Sequence, residues 1–80
     1  MTLHDRVMKA FQEALELDAP VAPEELVYRD FPQWTSTAHM ALIAILEQDF
    51  DVMLDADDIL NMSSFGKAVE IMAKHEVVAS

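Results

Sequence analysis

The run Thr35-Ser36-Thr37-Ala38-His39-Met40-Ala41-Leu42-Ile43-Ala44-Ile45-Leu46-Glu47-Gln48-Asp49-Phe50 decides the fold. Met40, Ile43, Leu46 and Phe50 recur at steps of three and four, and Leu42 and Ile45 widen the stripe. That spacing predicts a helix with one buried face, starting at Trp34-Thr35-Ser36 and ending near Phe50. At 1.5 Å per residue it is roughly 22 Å long. Upstream, Leu3, Val7, Phe11 and Ala14 predict a first helix over residues 2–17, with Thr2 as its N-cap and Asp5 three residues on. Pro20 and Pro23 break that pattern, and residues 18–33 read as a long loop that Leu26, Val27, Tyr28 and Phe31 pack down onto the bundle.

Downstream, Val52 and Leu54 mark a turn, and residues 56–61 read as a short helix presenting Ile59 and Leu60 inward. Ser63 or Ser64 caps a last helix reaching about His75, with Phe65, Val69 and Met72 on its buried face and Ala68 allowing close approach. Lys74 and His75 fall in its last turn, where cations suit the helix dipole, and residues 76–80 read as a frayed tail. A single glycine argues against hairpins and bulges. The expected fold is therefore all-α: one small four-helix bundle of three longer helices and one short one.

Eighty residues make one domain, and 52% hydrophobic content suffices for a core. Fifteen Asp and Glu against five Lys and Arg leave a formal net charge of −10. Such a field repels phosphate backbones and attracts basic protein surfaces, so no nucleic-acid partner is expected. No cysteine occurs, which removes disulfides, thiolate metal sites and cysteine nucleophiles together. With neither a signal peptide nor a membrane span legible, a soluble cytoplasmic monomer is expected.

The chemistry centres on the start of the decisive helix. Capping needs one hydroxyl of Thr35, Ser36 and Thr37. If Thr35 supplies it, Ser36 takes the first helical position and its hydroxyl points outward, where free N–H groups suit an attached phosphodiester. The plainer reading is that these hydroxyls only cap and solvate the helix.

Ser36 opening an apolar helix that closes with Glu47, Asp49 and Phe50 resembles the prosthetic-group helix of acyl carrier proteins. The likeness extends to Asp5-Arg6-Val7, to Asp51-Val52-Met53-Leu54 with Asp57-Asp58-Ile59, and to Ser63-Ser64-Phe65-Gly66-Lys67-Ala68-Val69, so it spans the whole chain. The family's Asp-Ser-Leu is here Thr35-Ser36-Thr37, which removes a carboxylate beside the serine. The resemblance implies 4′-phosphopantetheine in phosphodiester linkage on Ser36 and an acyl or aminoacyl cargo held as a thioester on its thiol. It also implies that the domain is no enzyme. Its partners would be a phosphopantetheinyl transferase and acyl-loading and acyl-accepting enzymes with basic docking surfaces, in a specialised pathway. The rival expectation is an unmodified acidic helical adaptor.

Between Arg29 and Lys67 no basic residue occurs, while Asp30, Glu47, Asp49, Asp51, Asp55, Asp57 and Asp58 do. These acids read either as a solvated face or as a docking surface, to which Thr35, Thr37, His39, Met40, Glu47, Asp49, Asp57 and Asp58 are assigned. Trp34 reads as a pin for the loop or as an aromatic docking residue beside Ser36. An EF-hand starting at Asp49 fails, because Leu54 stands at the required glycine and Leu60 at the bidentate glutamate. His39 lies three residues after Ser36, but no elbow glycines or orienting carboxylate support a hydrolase, and His4 and His75 read as exposed helix-end residues. The methionines, Met53, Met62 and Met72 among them, read as adaptable core filling.

Overall fold

Four α-helices enclose one core in the computed structural model, which describes residues 2–19 and 21–79, the side chains of 76–79 excepted. They are α1 (Leu3–Ala14), α2 (Ser36–Phe50), the short α3 (Ala56–Asn61) and α4 (Phe65–Ala79), with one 3₁₀ turn at Pro23–Glu25. Among the described residues there is no strand, only an isolated antiparallel bridge between Val27 and Ser64. Pro20 lies outside the described residues. The Cα radius of gyration is 11.5 Å, matching the roughly 12 Å expected of a compact chain this long. No helix among the described residues is long and apolar enough to cross a membrane.

Each helix start is fixed by a side-chain cap. Thr2 Oγ1 accepts from the Asp5 amide at 3.1 Å, Thr35 Oγ1 from Ala38 at 3.2 Å, Asp55 Oδ1 from Asp58 at 2.8 Å and Ser64 Oγ from Lys67 at 3.1 Å. Each bond satisfies an amide that has no partner within its helix. The choice between Ser63 and Ser64 thus falls to Ser64.

Helix α1 stops at Ala14, short of Leu17, because Glu16 turns into the left-handed region with φ 53°. The Leu17 amide then returns to the Gln12 carbonyl at 3.0 Å, closing a Schellman-type end. Asp51 ends α2 in the same region, at φ 53°. Helix α4 runs past His75 to Ala79, so Lys74 and His75 sit inside it and residues 76–79 continue the helix where fraying was expected.

Phe11 of α1 forms the centre of the core, with its ring 4.8 Å from Trp34 edge-on and 5.4 Å from Phe65 of α4. Val7, Ala10, Leu42, Leu46, Met62, Ala68 and Met72 close around these rings, all fully buried. Two inward assignments are corrected. On α2 the buried face is His39, Leu42, Ile43 and Leu46, and Met40 is exposed. On α3 the buried residue is Asp58 and Leu60 is 79% exposed, whereas Ile59, half-buried, packs against the core as expected. Met53 is also exposed and fills no core.

The loop before α2 is anchored by main chain and side chain together. The Tyr28 amide donates to the Ser63 carbonyl at 2.9 Å, and Phe65 donates to the Leu26 carbonyl at 2.9 Å. Leu26 is fully buried and Tyr28 and Phe31 half-buried, whereas Val27 stays on the surface. Arg29 makes the turn that follows with φ 73°.

Candidate functional site

Ser36 occupies the first position of α2, with its side chain exposed. Thr35 takes the capping role through Ala38, so no main-chain group claims the Ser36 hydroxyl. Its partner is the Tyr28 phenol, Oγ to Oη at 3.1 Å. The anchored loop brings that phenol to the helix start, and nothing in the eight-residue spacing announces the pair.

Behind Tyr28 lies a stack of polar aromatics. The His39 ring lies 4.8 Å from the Tyr28 ring at 30°, and the Trp34 ring 5.9 Å from it at 28°. Trp34 Nε1 donates to His39 Nδ1 at 3.0 Å, and His39 Nε2 lies 2.9 Å from the Ile59 carbonyl. An indole nitrogen can only donate and a carbonyl can only accept. His39 is therefore the tautomer that carries its proton on Nε2, linking the start of α2 to α3. Both ring nitrogens being engaged, His39 is no base for Ser36.

The structure divides the residues expected to dock partners. Thr35, Thr37, Met40, Asp49 and Asp57 are exposed, and Glu47 is half-buried with Oε2 accepting from the Leu54 amide at 3.0 Å. Glu47 thus fastens the turn between α2 and α3. Trp34, His39 and Asp58 are 1%, 8% and 4% exposed, so none offers a surface. Trp34 is the pin of the loop, and His39 is held by hydrogen bonds that make burial of a polar ring tolerable.

Asp58 accepts from Lys74 Nζ at 2.9 Å and pairs with His75 Nε2 at 2.6 Å, clasping α3 to α4. These hydrogen bonds, first from His75 and then from Lys74, hold its carboxyl below the usual range against the opposing effect of burial. The same contact raises Lys74. His75 is thus a half-buried partner of Asp58, not an exposed helix end. His4 is exposed, its ring edge-on to Phe65 at 4.8 Å.

A cleft of about 290 Å³ opens beside Ser36, lined by Arg29, Phe31, Pro32, Trp34, Thr35 and Ser36. Arg29 and Tyr28 are thus site residues that the sequence alone did not single out. The arrangement defines a small helical domain with a reachable serine hydroxyl at a helix start, a phenol on that hydroxyl and a cation on the same cleft. Compared with known proteins, the chain matches no family model, no curated protein and no solved structure.

Proposed function

We propose that this domain is an acyl or aminoacyl carrier, bearing 4′-phosphopantetheine on Ser36 Oγ and serving a dedicated cytoplasmic pathway. One observation carries the reading: the Ser36 hydroxyl stands exposed at the start of α2 while Thr35 does the capping. The group fits this position, because the hydroxyl is reachable and the adjoining cleft carries a cation for its phosphate. When bound, it supplies a thiol that carries the cargo as a thioester. Attachment forms the Oγ–P bond as a phosphoanhydride bond of the donor breaks, and the Oγ proton leaves to a base of the transferase.

The chain itself performs no catalysis in this reading; it presents the tethered group and is recognised. Thr35, Thr37, Met40, Asp49 and Asp57 offer an exposed surface around and beyond Ser36, suited to basic partner enzymes with an apolar contact at Met40. The tether raises the effective concentration of cargo at each partner's active site.

Co-expression with a phosphopantetheinyl transferase followed by intact-mass spectrometry tests this. One added phosphopantetheinyl group, lost in Ser36→Ala, is expected. No addition with several transferases would favour the unmodified adaptor, which the exposed Met40, Met53 and Leu60 also suit. Addition that persists in Ser36→Ala would move the site, with Ser63 and Ser64 the next candidates.

A further inference from the structure

We infer that Tyr28 and Arg29, adjacent on the loop before α2, form a cradle for a phosphate ester on Ser36. The inference rests on modification of Ser36 and concerns how this chain holds the result.

In the unmodified protein either oxygen of the Tyr28–Ser36 pair can donate. Esterification removes the Ser36 proton, so from then on only the Tyr28 hydroxyl can donate, to the ester oxygen or to a phosphoryl oxygen beside it. A hydrogen bond to an anionic group is stronger than one between neutral groups. The phenol needs no search to make it: its ring is stacked on His39, and its own amide is tied to the Ser63 carbonyl.

Arg29 supplies the charge. It is the cation lining the cleft that Ser36 also lines, in a chain with only five Lys and Arg. Among the described residues it makes no ion pair, whereas Lys67 pairs with Glu70 and Lys74 with Asp58. An arginine without a carboxylate partner, beside a hydroxyl that accepts a phosphate, is placed to accept the phosphate as its counter-ion. Phe31, Pro32, Trp34 and Thr35 form the remaining wall, and among the residues lining the cleft Arg29 is the one that carries a positive charge.

Comparing the melting temperatures of modified and unmodified protein in each background tests the cradle, because an ester bound by the folded state stabilises it. Two forms are used: the phosphopantetheinylated protein, and protein carrying phosphoserine at position 36, installed during translation. In the wild type either ester should raise Tm by several degrees, the scale on which one added favourable contact moves a domain this small. The rise should shrink by at least half in Tyr28→Phe and in Arg29→Gln, be smallest in the double variant, where only the amides at the start of α2 still meet the ester, and largely return in Arg29→Lys. The ³¹P resonance of the ester should move in Arg29→Gln.

A full Tm rise in both single variants, or no rise in the wild type, overturns the cradle. A rise with phosphoserine but no transferase product upholds the cradle and rejects the carrier reading. A transferase product with no rise does the reverse. Tyr28→Phe keeps the stacked ring, and Arg29 is exposed, so both variants retain the fold that the comparison needs.

Discussion

Glu16 and Asp51 occupy the left-handed backbone region at φ 53°, where a side chain costs an L-residue about 1–2 kcal/mol. Glu16→Gly and Asp51→Gly should each raise the free energy of urea unfolding by about 0.5–1 kcal/mol, since glycine takes this conformation freely but loses more entropy on folding. Trp34→Phe should do the opposite. It leaves His39 Nδ1 without its donor and opens a cavity where the larger indole was buried, and the lost hydrogen bond alone costs about 1–3 kcal/mol in the same assay. The spacing placed Met40 on the buried stripe and left His39 to the docking surface, whereas the structure buries His39 and exposes Met40. A buried histidine is stable only because an indole N–H and a carbonyl meet its two nitrogens, and those partners come from outside α2. That exchange of one inward residue follows from contacts that a one-dimensional pattern does not contain.

At the scale of elements, boundaries were legible wherever a side chain caps a start, as with Thr2, Thr35 and the serines before α4. They were illegible where a non-glycine residue ends a helix, as Glu16 does. The short α3 was read in the right place with Ile59 rightly against the core and Leu60 wrongly so, because its most buried group is a carboxylate paired with Lys74 and His75. That pairing gives the clasp a pH dependence of known sign. The folded-state pKa of Asp58 lies below its unfolded value near 3.8, so its stabilisation is present in full above that value and drains away as pH falls through the folded one. Asp58→Asn should therefore flatten the acid limb of a plot of stability against pH while lowering stability at neutral pH by about 1–3 kcal/mol. Lys74→Gln should do less, because the lysine side chain is 60% exposed and solvent screens it. Thr35→Asp is the complementary test on α2. Aspartate caps a helix as well as threonine does, so melting should hold while modification by a general-purpose transferase speeds up if the missing carboxylate limits docking.

For the whole molecule, the net charge of −10 acts as self-repulsion across a body with a radius of gyration of 11.5 Å, close to the screening length of about 10 Å at 0.1 M salt. Raising salt from about 0.01 to about 0.1 M should increase Tm, and a constant Tm over that range would show that self-repulsion among the acids does not limit stability. The overall architecture was the most legible level, since four capped, periodic segments and one glycine leave little but a helical bundle. The surroundings of Ser36 were the least legible, because Tyr28 reaches it through a loop tied by the Tyr28–Ser63 and Phe65–Leu26 main-chain bonds. Those bonds join parts of the chain with all of α2 and α3 between them. A nascent or cut chain ending before Ser63 keeps the serine and the His39 ring but lacks the carbonyl that ties the Tyr28 amide.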